Sequence, residues 1–529
     1  MKKICIISLL FLFSAGSLFA QKKPPKPPQL SKDQVKAMKK DADEFFKNEN
    51  YKEALIRYKN LQVAEPDDVD VNYKLGVSYL KTNIDKKQAA VYLKNVIGRK
   101  DAPKDALYYE AQALFFNNEF NEAIDNFEKY NEANHGKTNP KLMLNRHIEW
   151  CHNALDLMKK PVDVRFDNLG KSVNSPTADY RPVVGANDTM IYFSSNRKGN
   201  LGGLLDGFGE YLTDVYYTTN LDTSWTKAKS TGTNINTETY DEAMYLSPNG
   251  EKMLVYREGG DASGEIYYTE LKGKQWNKII PFGEQIESKG KIPGACLSPD
   301  GRTVYFVADM KGTKGGMDIW KSEKDTGTGK WSAPVNLGDG INTAFDEMNP
   351  FIFPDGKTLF FASQGHNSMG GFDMFKSVQP DPRQGWSKAE NLGYPVNTVF
   401  DDNDLQLNGT GMVGYISAHR DDGYGETDIY KLTFKQSQIN PPCVFVKIRV
   451  MSPSGLPVKE AICTVTRKST GELLGTLMSN MSTGIVNYSL PAGDYRIKIR
   501  SPKIGKADED FEVKGDEKGN KKVLVYVLK

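Results

Sequence analysis

The spacing of apolar positions changes twice along the chain. Between residues 31 and 160 apolar positions recur with a helical period, and strand-forming residues are sparse. After residue 161, short aromatic runs alternate with Gly, Asp and Asn turns at regular intervals, which is typical of β-strands. From residue 441 onwards, apolar and polar residues alternate along strands such as Val444 to Val450. The pattern predicts an all-α part followed by two all-β parts.

The first 30 residues predict an exported protein. A cationic start is followed by an apolar run from Ile4 to Phe13 and by the small residue Ala20, which together are typical of a secretory signal peptide over 1–20. A signal anchor is the alternative, but the apolar run is shorter than the roughly 20 residues that span a bilayer. Residues 21–30 are rich in Pro and Lys and predict an extended linker.

Small residues recur in the helical part at a nearly constant interval. Ala42, Gly76 and Ala111 stand 34 and 35 residues apart, and residues 140–158 add a further amphipathic stretch. This spacing resembles the tetratricopeptide repeat, in which small residues let paired helices approach closely. The resemblance implies an all-α solenoid over 31–160, with three repeats and a capping helix.

The second predicted copy departs from the repeat, because its alignment needs one inserted residue near Asn83. A solenoid has a concave groove that suits a helix or an extended peptide. Asn72, Asn117 and Asn118 are the candidate contacts in that groove, although turns between repeats also use asparagine.

Three phrases recur in fixed order between residues 161 and 436. The first is a tight turn such as Ser298 to Gly301, and the third is a Trp before a final strand. The second begins with an acidic residue, and successive acids are 51, 53, 55 and 55 residues apart: Asp214, Glu265, Asp318, Asp373 and Asp428. A period of this length predicts four-stranded blades around an axis.

The fifth copy stops near Phe434 without its final strand, and the missing phrase stands before the first copy, at Phe166 to Gly170. The outermost strand of the last blade is therefore expected from the N-terminal side, which closes the ring and removes its free edges. This predicts a five-bladed all-β propeller over 161–436, with six blades as the alternative. The phrases resemble the WD40-like repeat of TolB-type propellers.

Residues 441–529 resemble the transthyretin-like β-sandwich known as a carboxypeptidase regulatory-like domain. The resemblance rests on a Ser-Pro-rich turn at 452–458 and on the turn and strand at 491–499. Cys443 and Cys463 both fall in this segment. They could form a disulfide in an oxidising compartment or be ordinary strand residues.

Composition and motifs give no sign of catalysis. The formal net charge of +2 gives no indication of a nucleic-acid partner. The sequence has five histidines and has neither a nucleophile elbow, a His-Glu-x-x-His zinc pair nor a phosphate-binding loop. His366 and His419 stand in equivalent loops and are interpreted as ordinary side chains. We therefore expect a chain that is not an enzyme and that has no metal or cofactor.

Two sets of acidic residues fall at blade positions. The acids of the second phrase are expected to cap strand starts, with calcium or another cation as the alternative ligand. A second set is expected near one mouth of the channel, as partner or ligand contacts or as a solvated rim: Asp241, Glu242, Asp346, Glu347, Asp401 and Asp402.

The order of the three parts resembles a family of Bacteroidetes envelope proteins that usually end in an OmpA-type domain. The sequence stops at Lys529 without that domain, so peptidoglycan anchoring is not expected. The resemblance implies a periplasmic, non-catalytic protein-binding scaffold, peripheral to the outer membrane. Its expected partners are envelope proteins such as an outer-membrane β-barrel or a component of type IX secretion or gliding machinery. The alternatives are a propeller that binds or hydrolyses glycans or peptides, and a self-assembling structural component.

Overall fold

The computed structural model describes residues 31–258, 264–283, 291–381 and 383–529. The predicted signal peptide and linker lie outside these ranges. Within them, no helix combines the length and the apolar character needed to cross a membrane. The described α-helices all lie before residue 158: α1 (Lys32–Lys47), α2 (Tyr51–Ala64), α3 (Val69–Leu80), α4 (Ala89–Leu93), α5 (Ala106–Phe116), α6 (Phe120–Ala133) and α7 (Leu144–Leu157).

Small residues do bring neighbouring helices together in this region. Ala42 and Ala54 are fully buried, and a Cβ atom on Gly76 of α3 would lie 2.5 Å from the Cγ atom of Leu93 on α4. Side-chain caps fix helix starts, as where Ser31 and Gln34 form a capping box. We call residues 32–157 the helical region.

The predicted fold class, which begins with an all-α tetratricopeptide solenoid, is wrong. The described chain is mostly β, and its seven α-helices do not repeat as equal pairs. The second pair fails because α4 has only five residues. Gly98 adopts a left-handed backbone conformation soon after α4, and Pro103 follows before α5 starts. These two residues end the helical path where a regular repeat needs a full second helix.

Five sheets follow, each with its first strand near a common axis. Blade 1 contains β2 (Asp179–Val184), β3 (Met190–Ser195), β4 (Asp214–Thr219) and β5 (Lys229–Ser230). Blade 2 contains β6 (Asp241–Leu246), β7 (Lys252–Glu258), β8 (Gly264–Lys272), β9 (Gln275–Trp276) and β10 (Ile280–Pro281). Blade 3 contains β11 (Ala295–Leu297), β12 (Thr303–Ala308), β13 (Asp318–Glu323) and β14 (Val335–Asn336). Blade 4 contains β15 (Glu347–Ile352), β16 (Thr358–Ser363), β17 (Asp373–Val378) and β18 (Glu390–Asn391).

Blade 5 is built from both ends of the propeller segment. Its inner strands are β19 (Gln406–Leu407), β20 (Val413–Ala418) and β21 (Asp428–Phe434), and its outer strand is β1 (Val164–Asn168). β1 pairs antiparallel with β21, with Val164 opposite Phe434. The expectation that the closing strand comes from the N-terminal side is confirmed. The chain is a β-propeller protein.

An asparagine after the outer strand holds each of four blades together. In blade 3, Asn342 accepts a hydrogen bond from the N–H of Ile319 at 2.8 Å and donates one to the same residue's carbonyl at 2.9 Å. Its amide also donates to Asn336 at 2.9 Å. Equivalent contacts are made by Asn174, Asn236 and Asn397. Each of these asparagines follows a Val or an Ile, and each bonds to the third strand of its blade.

The last part of the chain forms two sheets around a shared apolar core. One sheet has the order β25-β22-β28, from β22 (Cys443–Met451), β25 (Ile485–Pro491) and β28 (Lys521–Val527). The other has the order β24-β23-β26-β27, from β23 (Ile462–Arg467), β24 (Leu473–Met478), β26 (Gly493–Ser501) and β27 (Gly505–Val513). We call this part the sandwich. Its assignment as a carboxypeptidase regulatory-like domain stays a prediction. The thiols of Cys443 and Cys463 are free and buried, so they do not form a disulfide.

The helical region and the sandwich contact opposite ends of the blades. The helical region meets loops between the second and third strands, where Arg146 hydrogen-bonds to Ser368 and Lys52 pairs with Glu426. The sandwich meets hairpins between the first and second strands, where Glu472 pairs with Lys357 and the N–H of Met481 donates to Glu251. Because the strands are antiparallel, these loops and hairpins lie at opposite ends of each blade.

Candidate functional site

Three of the six predicted mouth residues hold the loops that lead into their blades. Asp241, Glu347 and Asp402 each accept hydrogen bonds from the backbone N–H and the hydroxyl of the threonine four residues earlier. All three side chains are buried. Burial raises the pKa of Glu347 and that of Asp402 to about 7. These oxygen atoms are therefore occupied by the loops themselves.

The other three predicted residues bind different partners. Asp346 accepts a hydrogen bond from the N–H of Met317 at 2.8 Å, and Asp401 accepts one from the N–H of Phe372 at 2.9 Å. Glu242 pairs with the guanidinium of Arg181 at 2.6 Å and accepts the Tyr180 hydroxyl at 2.9 Å. The role of the six residues as partner contacts stays a prediction.

The propeller axis is nearly filled by side chains that the sequence analysis did not single out. A cavity of only about 20 Å³ remains there, which is space for roughly one water molecule. Its lining includes Arg181, Asn349 and Asp404. The buried carboxylate of Asp404 accepts the N–H of Arg181 at 2.7 Å and that of Ser417 at 2.8 Å. This cavity among the described residues is therefore too small to hold a substrate.

The three predicted groove asparagines serve the helices and their turns. Asn72 is buried, and its amide donates to the carbonyl oxygens of Pro66 and Asp68 at 2.8 Å. Asn117 ends α5 and donates to the carbonyl of Lys87 at 3.3 Å. Asn118 is exposed in a left-handed turn. As ligand contacts, these residues also remain predictions.

A pocket of about 130 Å³ lies between the helical region and blades 4 and 5. Lys86, Asp401 and His419 line it together with aromatic side chains. Burial lowers the pKa of Lys86 to about 8, and its ammonium group donates to the carbonyl of Leu80 at 2.7 Å. His366 and His419 bond to separate backbone carbonyls. No group of three or more His, Cys, Asp or Glu side chains is placed to hold a metal ion in the described ranges.

A wider groove, of about 730 Å³, runs between blades 1 and 2. We call it the blade groove. One wall includes β3, β4 and the residues after β5, and the other includes the turn between β8 and β9 and the hairpin at Asn249 and Gly250. The groove therefore lies beside the axis and not in it.

Aromatic side chains form the middle of the blade groove. The indole N–H of Trp276 donates to the Tyr192 hydroxyl at 3.2 Å, and their ring centroids are 5.6 Å apart. The ring of Tyr217 lies 5.9 Å from that of Tyr192 and is partly exposed. Another Trp of the third phrase makes a similar contact between blades, because Trp386 of blade 4 packs on Tyr305 of blade 3.

Unpaired polar groups surround these rings. Within the described part of the chain, the side chains of Asn187, Thr189, Thr233 and Gln275 make no hydrogen bond, and neither does the hydroxyl of Tyr217. Lys274 is the only Lys, Arg, Asp or Glu side chain in the described lining. The groove therefore offers neutral donors and acceptors beside aromatic surface. Sequence reasoning missed it because two neighbouring blades must be docked before these residues meet.

Comparisons with known proteins give little beyond the fold. No protein-family model and no curated protein matches the sequence. Solved structures that the chain resembles include TolB from Acinetobacter baumannii, with 18% identity over 50% of this chain and 57% of TolB, and a TM-score of 0.28. The chain thus spans just over half the length of that protein.

Glycoside hydrolases also occur among the similar structures. An α-L-arabinofuranosidase from Podospora anserina, solved with cellotriose, shares 12% identity over 52% of this chain and 98% of its own, with a TM-score of 0.34. A family 117 glycoside hydrolase from Zobellia galactanivorans shares 12% over 53% and 95%, with a TM-score of 0.33. The prediction that the chain is not an enzyme is corrected, because enzymes are among the structures that it resembles. At these scores the likeness carries no argument for a particular activity.

The comparisons give no support for tetratricopeptide repeats, for the predicted Bacteroidetes envelope family, or for a role in secretion. The order of the strands itself defines the propeller. The chain is therefore described as a β-propeller protein with an additional helical region and an additional sandwich.

Proposed function

We propose that the blade groove binds a neutral oligosaccharide. The observation that carries this proposal is the lining of the groove, which combines the partly exposed ring of Tyr217 with unpaired amide and hydroxyl groups and has Lys274 as its one charged side chain. Neutral sugars present hydroxyl groups at their edges and C–H groups on their faces. Polar side chains and aromatic rings are their respective complements.

A charged peptide is the less suitable ligand, because the groove offers one cation and no carboxylate among its described residues. Glycoside hydrolysis generally uses two carboxyl groups flanking the scissile bond. The groove is therefore proposed as a binding site, and release of shorter sugars is measured as a separate outcome.

The test is calorimetric titration of the purified chain with cellotetraose, xylotetraose and mannotetraose, with trigalacturonate as the charged probe. We expect saturable binding of at least one neutral sugar. Tyr217→Ala and Gln275→Ala should each weaken it by about tenfold, the effect of losing roughly 1.4 kcal/mol of contact energy. Gln384→Ala is the matched control, because Gln384 is exposed on blade 4 and lies outside the groove.

Binding of trigalacturonate alone, or equal affinity in the two groove variants and the control, would contradict the proposal. Chromatography of the same mixtures detects hydrolysis. If the original chain releases shorter sugars and the Tyr217→Ala variant does not, the groove hydrolyses the oligosaccharide and does not only bind it.

Export and protein partners remain further proposals. The leader predicted over residues 1–20 supports a periplasmic location, and the two parts docked on the propeller leave separate surfaces for envelope proteins. Crosslinking of the chain in intact envelopes, followed by identification of the bound proteins, tests both.

A further inference from the structure

A second cavity, of about 200 Å³, lies where the sandwich meets the propeller. We call it the sandwich pocket. Hairpins of blades 2 and 3 form one side, and strands β24 and β25 form the other. Its described lining includes Tyr245, Pro248, Leu297, Pro299, Leu477, Met478, Val486 and Asn487.

In this lining one buried polar atom, the side-chain oxygen of Asn487, and the hydroxyl of Tyr245 have no partner among the described residues. Asn487 is 6% exposed, and its amide makes no hydrogen bond through either its oxygen or its nitrogen among the described residues. Tyr245 is 4% exposed, and its hydroxyl likewise has no partner in the described ranges. Buried polar groups are nearly always hydrogen-bonded, because their removal from water is otherwise uncompensated. An unpaired amide oxygen beside a cavity is therefore free to pair with a molecule that enters the cavity.

Most charged groups around the pocket are already engaged, and the exception is Glu460, an exposed carboxylate with no side-chain partner among the described residues. Glu251 accepts the N–H of Met481 at 2.9 Å and the amide of Asn249 at 3.0 Å. Lys252 lies 3.7 Å from Glu270. Apart from the exposed Glu460, the free groups are neutral, and most of the remaining lining is apolar. An anionic ligand finds no free cation among these groups, because Lys252 is the one cation of the described lining and lies beside Glu270. A sugar would leave many of its hydroxyls unpaired.

A peptide group fits what is free. The carboxamide of Asn487 offers one acceptor and two donors, which complement the N–H and the C=O of a peptide bond. Apolar side chains on either side of that bond would contact Leu297, Leu477 and Val486. Strands β24 and β25 are both end strands of their sheets, so each has a backbone edge without a described partner strand. Such edges bind extended peptides through main-chain hydrogen bonds.

We propose that the sandwich pocket binds a short extended apolar segment of another protein, with one of its peptide groups paired to the amide of Asn487. The pocket holds the segment between the blade hairpins and the open strand edges. This proposal does not depend on sugar binding by the blade groove. Asn249 and Leu271 line both sites, but Asn487 lines only the pocket, and Tyr217 and Gln275 line only the groove.

The experiment is an NMR titration of the full chain, labelled at its methionine methyl groups, with the blocked peptide acetyl-Leu-Ala-Leu-amide. Met478 and Met481 line the pocket and report binding. We expect saturable shifts of both signals. Asn487→Leu should weaken binding by about tenfold or more, since the paired amide is lost, and Tyr245→Phe should weaken it less.

Asn487→Leu is expected to fold, because it replaces an unpaired buried amide by an apolar side chain of similar size. Gln384→Leu on blade 4 is the control, because Gln384 is exposed and lines neither site, and it should leave peptide binding unchanged. Glucose serves as a probe with hydroxyl groups only. The proposal is overturned if the peptide causes no saturable shift, if Asn487→Leu binds as tightly as the original chain, or if glucose binds the pocket and the peptide does not.

Discussion

Arg146 of α7 donates a hydrogen bond to the Ser368 hydroxyl at 2.7 Å, across the boundary between the helical region and blade 4. The same guanidinium donates to the carbonyl oxygens of Gln364 and Gly365. Trp150, one helical turn further along α7, donates to Ser368 at 2.9 Å. One buried cation thus satisfies several carbonyl groups in a single loop of the propeller.

Replacing Arg146 by Ala should loosen this boundary. The substitution leaves the carbonyls of Gln364 and Gly365 without their donor, and we expect a loss of about 3 kcal/mol in the free energy of unfolding. Urea denaturation measures it, and proteolysis after α7 reports release of the helical region. Lys159→Ala is the control, because Lys159 forms an exposed pair with Asp156 and should change stability by less than about 0.5 kcal/mol. Equal losses of stability in Arg146→Ala and Lys159→Ala would contradict this role of Arg146.

A second boundary depends on the absence of a side chain. Gly409, in the hairpin of blade 5, lies so close to the sandwich that a Cβ atom would be 2.7 Å from Phe445 Cδ2 and 2.9 Å from Ser489 Oγ. Gly409→Ala should displace the sandwich and cost about 1–3 kcal/mol in thermal unfolding. Gly207→Ala is the matched control, because its Cβ would meet no atom within 4 Å. A control that melts lower than Gly409→Ala would refute this explanation.

The sequence predicted the propeller well because its signals are local. Turn residues, the acid at the start of each third strand and the asparagine after the outer strand all act within one blade. The turns and the acid therefore recur in every copy, and the asparagine contact recurs in four of the five blades. The closing strand was predictable for the same reason, since the phrase near Phe166 matches the one missing after Phe434.

The remaining features depend on contacts between distant parts of the chain. Asp241 and Glu347 show the acidic pattern of a channel mouth, but only the folded loops reveal that threonines occupy them. Asn487 and Tyr245 lie in different parts of the chain, and neither carries a sequence signal for a site. The helical repeat failed at α4, because spacing between small residues does not report whether the intervening segment can stay helical.

Burial of Glu347 predicts a pH dependence of stability. Its pKa rises from 4.5 to about 7 in the folded chain, so between these values the folded state binds more protons than the unfolded state. The contribution of Glu347 to the free energy of unfolding is therefore fully present below about pH 4.5 and is lost as the pH rises to about 7. At roughly 1.4 kcal/mol per unit of pKa, the loss amounts to about 3 kcal/mol.

Glu347→Gln removes this titration. Its side-chain oxygen can accept the N–H of Thr343, and its amide nitrogen can donate to the Thr343 hydroxyl. The difference in unfolding free energy between the original chain and this variant, measured from pH 4.5 to 8, should change by that amount. Glu390→Gln alters an exposed carboxylate on blade 4 and should give a difference that stays nearly constant. A flat difference for Glu347→Gln would show that the carboxyl group is ionised throughout.

The four described cysteines should be unreactive in the folded chain. Cys151, Cys296, Cys443 and Cys463 are buried and free, and burial raises the pKa of each thiol to about 12. Thiolate is the reactive form, so a thiol reagent should modify them slowly at pH 8 and rapidly in denaturant. If Cys443 and Cys463 do not react with the reagent in denaturant without reductant, these two residues form a disulfide instead.

Asn174 should matter more for closure of the ring than the equivalent asparagine matters for strand pairing within a single blade. Asn174 bonds the N–H of Ile429 at 2.9 Å and its carbonyl at 3.1 Å, the same contacts that Asn342 makes to Ile319. β14 is joined to β13 by a short connection, whereas β1 and β21 are joined only through the whole propeller. Opening the β1–β21 pair therefore releases a much longer loop, whose entropy favours the open state.

Asn174→Ala should accelerate hydrogen exchange in β1 markedly, and Asn342→Ala should accelerate it in β14 by a smaller factor. Equal acceleration would mean that packing of β1, and not this asparagine, keeps the ring closed.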